Sequence, residues 1–474
     1  MMRIIANYNF RQDDALDRNF EVLFENRRRD SFFAFAFEED DGSVIALRDH
    51  LGNVPLYYRV QKNKIKCSIF LSDLVSAGDQ IDSSGFNTYL GICSAKAQSL
   101  IKGIDVVPPG SVIKIFSTGE IQLLYKYKFN CRRKFFGTFS QNVEEMDRLM
   151  KQAVKRVVLS DTVGLYLSGG IDSALVGIYL KQIGVKVNAY TSLPWGEGGT
   201  EAKYAKINAE ILKADNHSLV SLRTTEYSNL IDNSFKIYGN PRGLTSQIGI
   251  SSLWEETSIG EETQIFCGHN ADTIVCSMPS QYNVYFSSFF PRFIRHQVHP
   301  WIGKGSFIDD YMSVISRTRF CSVPIIDKNY LKNISRIQAL TILGMLIGHT
   351  GEGEAFSLPV IKSGKIFSDP YFDMDLVEFG MNQPMYNRLS LSRNSRSIFY
   401  FEKKIARALA LRYLPHELVY RKKGMTVPTK RDNITKDFFD SLPREMGCLS
   451  LNDPEERLAA RVLSDFVSRH SIKW

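Results

Sequence analysis

The chain has 474 residues, a net charge of +8, 44% hydrophobic and 23% charged residues. That length supports two or three domains, each with its own core, and no apolar run approaches a membrane span. Seven cysteines, an odd number with no CxxC pair, exclude a disulfide framework or a zinc ribbon and make a reduced, cytoplasmic protein the expectation. The basic excess permits phosphate-bearing or acidic partners. Arg27-Arg28-Arg29 and Arg132-Arg133-Lys134 read most simply as solvated surface, so no nucleic-acid partner is expected.

Residues 1 to about 130 read as β-rich. Phe33–Phe37 and Val44–Arg48 form a strand pair joined by the acidic turn Glu38–Gly42. Pro55–Val60 and Ile65–Leu71 form the next pair, and Val106–Ser111 turns into a strand at Val112–Ile115. The aromatic run Phe32–Phe37 reads as core. From Asn142 the period lengthens. Val143, Met146, Leu149, Met150, Val154 and Val157 recur at helical spacing. Strands at Val163–Leu167, Val185–Ser192 and Gln264–Gly268 then alternate with helices at Ala174–Leu180 and Glu201–Leu212. This order predicts a parallel, doubly wound sheet, with one crevice lined by the strand ends at Leu167, Thr191 and Cys267.

Ser168-Gly169-Gly170-Ile171-Asp172-Ser173 sits between the first of those strands and its helix. Paired glycines bring backbone N–H groups close to an anion, and the helix N-terminus adds partial positive charge. The hydroxyls of Ser168 and Ser173 suit phosphate oxygens, and Asp172 beside them suits Mg²⁺. No Gly-Lys-Ser/Thr follows, so this is not a Walker loop.

These residues resemble the pyrophosphate loop of enzymes that split ATP into AMP and pyrophosphate, and Leu159–Gly164 before it is similar to asparagine-synthetase-type enzymes. Further stretches carry the likeness. Arg48-Asp49-His50-Leu51-Gly52-Asn53-Val54-Pro55-Leu56-Tyr57-Tyr58 and the Gly103–Gly110 turn resemble the family's glutaminase domain. Asp369–Asp373 resembles a structural corner, Phe401–Arg407 the helix before a lysine loop, and Leu414–Gly424 that loop itself. The resemblance implies an α/β protein of two parts. Residues 1–135 would be an Ntn-type, glutaminase-like α+β sandwich. Residues 136–474 would be a doubly wound ATP-pyrophosphatase synthetase domain with a helical C-terminal part.

Residue by residue, the resemblance puts nucleotide contacts at Ser168, Gly169, Gly170, Asp172, Ser173, Thr191, Ser192 and Gly268. Asp272 falls on a second family carboxylate, so Asp172 and Asp272 would share Mg²⁺ and ATP would be the nucleotide; the alternative for Asp272 is a helix cap. His269 stands where relatives carry Glu or Tyr, as a general base or as a residue that orients substrate. Lys423 matches the family's catalytic lysine, whose charge would steady the transition state. Position 2 is Met2, where a working glutaminase carries cysteine, so no glutaminase activity is expected.

The Gly268-His269-x-x-Asp272 wording is most similar to lasso-peptide macrolactam synthetases. The implied function is adenylation of a carboxylate on a peptide, release of pyrophosphate and attack by an amine. Partners would be a peptide or small amino-acid substrate, extending to a precursor peptide and its leader protease. Asn270 and Thr273 depart from the family pattern and count against asparagine synthesis itself. A β-lactam-type synthetase, or a non-catalytic peptide-binding descendant, is the competing reading. Tyr282, Tyr285, Phe286, Phe289 and Phe290, with Arg292, Arg295 and His296, either line a peptide channel or pack as an aromatic helix.

Overall fold

In a computed structural model, the structure describes residues 3–6, 20–24, 32–92, 99–131, 137–193, 199–221, 235–241, 250, 253–254, 257, 260–269, 271–274, 287–291, 293–295, 328–346, 351–388, 403–421 and 454–474. Met2, Asn270, Tyr282, Tyr285, Phe286, Arg292, His296 and Lys423 lie outside the described residues.

The first layer is antiparallel. Strands β1 (Arg3–Ala6), β2 (Ala34–Glu38), β3 (Val44–Arg48), β7 (Ser111–Ile115) and β8 (Ile121–Lys126) lie in that order in one sheet. Strands β4 (Tyr57–Gln61), β5 (Lys64–Ser68) and β6 (Asp105–Val106) form a second, ordered β5-β4-β6. The acidic turn joins β2 to β3 as an antiparallel pair, as expected, with Ala36 opposite Ala46. Phe32, Phe33 and Phe35 are buried, as a core reading of the aromatic run requires.

The Arg48–Tyr58 stretch is a structural keystone. Arg48 is fully buried and donates to the carbonyls of Val54 at 2.8 Å, Val107 at 3.0 Å and Gly52 at 2.6 Å. Asp49 accepts from the N–H groups of Leu51, Asn53 and Val54. A buried guanidinium is tolerable because carbonyls and the Glu354 carboxylate, 3.7 Å away, surround it.

Helix α1 (Phe139–Val157) opens with a capping box between Thr138 and Gln141. It buries Val143, Met146, Leu149, Met150, Val154 and Val157, the predicted stripe. The second layer is the parallel sheet β11 (Asn216–Ser221), β10 (Lys186–Leu193), β9 (Thr162–Tyr166), β12 (Gln264–Phe266) and β13 (Ile366–Ser368). In chain order these strands run 3-2-1-4-5. The direction of winding therefore reverses between β9 and β12, where such sheets bind ligands.

The two layers share one core. Phe32 packs edge-on against Phe367 and Phe372. Tyr127 donates to buried Glu378 at 2.7 Å. The C-terminal helix (Pro454–Arg469) returns to the β-rich layer. Its Leu463, Phe466 and Val467 pack with Tyr57, Ile81, Tyr89 and Leu100. By packing, the segment 454–474 therefore belongs with the first layer rather than with the parallel sheet beside which the sequence reading groups it. Among the described residues, no helix is long and apolar enough to cross a membrane.

Candidate active site

The crevice between β9 and β12 collects most of the residues singled out in the sequence. Helix α2 (Ile171–Gln182) begins straight after Gly170, and no side chain caps it. Its first-turn N–H groups therefore face the loop without a capping oxygen. The loop is tightly knit. Ser168 N–H donates to Ser173 Oγ at 3.0 Å, and Gly170 N–H donates to Ser168 Oγ at 3.1 Å.

Helix α3 (Gly199–Leu212) grips the loop from the other side. Asn208 Nδ2 donates to the carbonyls of Ser168 at 3.1 Å and Gly170 at 3.3 Å. Glu201 accepts from Gly169 N–H at 2.8 Å. These two residues and Tyr204 lie along one face of α3, at helical spacing.

The second key element packs directly on the first. A Cβ at Gly268 would lie 2.8 Å from Ser173 N and 2.9 Å from Asp172 O, so only glycine fits there. This contact carries Asp272, in the first turn of the short helix Ala271–Ile274, to the same place as Asp172. Asp272 thus stands within the helix rather than ahead of it. It forms an ion pair at 2.6 Å with Lys403, whose Nζ also donates to Asp172 Oδ2.

Lys403 is the residue sequence reasoning missed. The predicted helix Phe401–Arg407 begins only at Lys404, with Lys403 as its non-helical cap residue, and this turns the side chain inward. The side chain is 12% exposed. Burial pulls its pKa down, but the charges of Asp172 and Asp272 push it further up, so it stays an ammonium above the ordinary lysine value. Nothing in the local sequence marks a lysine 231 positions from Asp172 as its partner.

Around this cluster, Asp369 accepts from His269 N–H at 2.8 Å and from Tyr371 N–H at 3.0 Å. Tyr371 is buried. Burial first, then the charges of Asp172, Asp369 and Asp272, push its hydroxyl pKa well up, so it remains a neutral donor. The His269 ring lies against Phe356, with centroids 4.9 Å apart, so its backbone is fixed by Asp369 and its ring by an aromatic neighbour. Thr191, at the end of β10, donates to Leu167 O at 2.6 Å, which ties two strand ends together. His217 Nε2 lies 2.9 Å from the same hydroxyl oxygen; because that hydroxyl gives its proton to Leu167, the ring nitrogen is the donor. Ser192 is half-buried beside it.

Two family models match the sequence: glutamine amidotransferase domain over residues 26–128, and asparagine synthase over residues 145–311. The two matched stretches are thus similar, in this order, to a glutamine amidotransferase domain and an asparagine synthase domain. Asparagine synthetase [glutamine-hydrolyzing] 1 of Bacillus subtilis is 24% identical over 282 residues, covering 57% of this chain and 42% of that protein. Amidase chry2 of Gibberella zeae is 26% identical over 226 residues, covering 43% of this chain and 33% of that protein. The chain thus spans less than half the length of these curated relatives.

The asparagine-synthase match holds the loop, Glu201 and Asp272, and ends before Lys403, Arg421 and Lys423. The residues present fit Mg²⁺. Asp172 and Asp272 offer hard oxygens around one position, and Asp172 Oδ1 is buried with no hydrogen-bond partner among the described residues. Of the aromatic stretch, Phe289 and Phe290 are 60% and 44% exposed, so these two are not packed as core; Arg295 is buried and donates to the carbonyls of Ser288 and Phe290.

Proposed function

We propose that this asparagine-synthetase-like chain is an ATP-dependent, AMP-forming amide synthetase that acts on a peptide carboxylate, without hydrolysing glutamine. The observation that supports it best is the convergence of Asp172, Asp272 and Lys403 on one point beside a pyrophosphate-type loop, at the switch point of a parallel sheet.

In this reading the loop N–H groups and the start of α2 hold the β- and γ-phosphates, and Asp172 and Asp272 hold Mg²⁺. The metal would offset phosphate charge. Lys403 balances the two carboxylates and offers its ammonium to the departing pyrophosphate. Lys423, which follows Arg421 by two residues, supplies the cation for the charge that develops during acyl transfer. His269, held by Asp369 and Phe356, takes the proton from the attacking amine. The exposed pair Phe289 and Phe290, with Arg336 lying 5.0 Å over the Phe289 ring, supports a peptide as substrate. A macrolactam formed within one peptide is the product this reading favours.

In this reading glutamine is not used, and the described cysteines are poor nucleophiles. Burial pushes the Cys67 thiol up to about 12, raises that of Cys131 and lifts Cys267 well above its ordinary value, which leaves too little thiolate to attack an amide.

The products test this reading. With ATP labelled at the α-phosphate and a peptide carrying an acidic side chain, AMP and pyrophosphate are expected, with no glutamate released from added glutamine. ADP and phosphate as products would sink it. Lys423→Ala is expected to lower kcat by roughly 10²–10³ with ATP binding little changed. Turnover near the unsubstituted rate would leave Lys423 a surface residue.

A further inference from the structure

Glu201 and Arg421 form a clamp on the pyrophosphate loop that the chemistry above does not use. Glu201 Oε1 accepts from Gly169 N–H at 2.8 Å. Arg421 Nε donates to Gly169 O at 2.8 Å, and its Nη2 pairs with Glu201 Oε2 at 3.0 Å. Both polar groups of Gly169 are therefore held by one ion pair. The Arg421 side chain is 8% exposed and lies over the Tyr204 ring, 4.7 Å from its centroid. Its Nη1 is buried and has no hydrogen-bond partner among the described residues. The fit is close: a Cβ at Gly169 would lie 2.8 Å from Tyr204 Cβ and 3.0 Å from Arg421 Nη2.

A carboxylate oxygen that accepts from a glycine N–H of this loop is the same kind of acceptor as a phosphate oxygen. A buried guanidinium with an unused donor beside it is the complementary half of an anion site, because leaving such a donor unmatched is costly.

We propose that Glu201 is a resident anion of the pyrophosphate loop, displaced from Gly169 N–H by an incoming phosphate oxygen while Arg421 keeps hold of the loop and offers Nη1 to that phosphate. Glu201 then sets the affinity for the nucleotide and speeds release of pyrophosphate by reclaiming the N–H. Arg421 then binds the phosphate directly, two residues before Lys423 in the chain. This rests on the nucleotide reading given above.

The test is titration calorimetry of the full chain with inorganic pyrophosphate and Mg²⁺ at fixed ionic strength, alongside melting curves. Glu201→Gln keeps the shape and removes the charge, and should bind pyrophosphate about 10-fold tighter, since a charge-assisted hydrogen bond no longer competes. Arg421→Ala should bind roughly 10-fold more weakly. Glu210→Gln, the same charge change at an exposed site on the same helix, should stay within about twofold, because exposed charges are screened. If Glu201→Gln melts early, Glu201→Asp, which shortens the reach to Gly169, should give the same tightening.

A merely structural Glu201 predicts the opposite sign: loosening the loop would weaken binding. Unchanged or weaker binding in Glu201→Gln, with the unsubstituted protein binding normally, overturns this inference alone. No pyrophosphate binding by the unsubstituted protein overturns the nucleotide reading and this inference together.

Discussion

Lys403→Ala is expected to destabilise the fold and abolish turnover together. The side chain is almost fully enclosed, and its ammonium compensates two carboxylates. Removing it leaves Asp172 and Asp272 facing each other without a counter-charge. Breaking a buried pair from one side costs about 3–5 kcal/mol, largely through the stranded charge. Urea melts measure this. Adding Asp172→Asn to Lys403→Ala should recover at least half of the lost stability, because one of the repelling charges is gone, while activity stays lost. A melting midpoint for Lys403→Ala equal to that of the unsubstituted protein would mean the triad is not formed in solution.

The pH dependence follows from the direction of the Lys403 shift. Its pKa in the fold is raised above that of the unfolded chain. The contribution to stability is therefore fully present below about pH 10.4, the ordinary lysine value, and is lost as pH rises through the folded value. Between pH 6 and 9 this group should leave stability flat.

Asp172→Asn should behave differently. Lys403 keeps Asp272 as a partner, so the protein should fold and melt within a few degrees of the unsubstituted chain. Turnover should fall by on the order of 10³ or more, because an amide oxygen holds Mg²⁺ far less well than a carboxylate. Steady-state assays over a Mg²⁺ titration read both effects: lower kcat, and a higher Mg²⁺ concentration for half-maximal rate. A loss under tenfold with an unchanged Mg²⁺ midpoint would remove Asp172 from the metal site and leave it as a partner of Lys403 only.

Local pattern alone carries much of this molecule. The period of apolar residues in 143–157 defines one face of a helix, because a 3.6-residue repeat can bury only such a stripe. Alternation of strand and helix after residue 160 dictates a parallel sheet, and Ser168–Ser173 marks its ligand end. The glycine pair, the flanking serines and Asp172 are contiguous, so one reading of the chain finds them. Asp272 is reachable by the same logic, since Gly268 precedes it after a second strand of that sheet.

Tertiary structure decided the rest. Glu201 and Asn208 carry no local signature, and the stretches around Lys403 and Arg421 do not say which of their residues reach the loop. A lysine before a helix and a glutamate within one are usually surface residues, and only the packing of α3 and of the segment around residue 403 against the loop turns these inward. The Arg48 stretch shows the converse. Its sequence carries a family likeness, and the fold uses Arg48 to bind carbonyls of two turns and Glu354. The return of residues 454–474 to the first layer is likewise invisible in sequence, because an amphipathic helix states which face it buries and not against what. Sequence thus determined the elements and the glycine loop at Ser168–Ser173, which depend on neighbours a few residues apart. Which charges meet at that loop depended on contacts between residues 32 to 252 positions apart, and burial in the folded core fixed them.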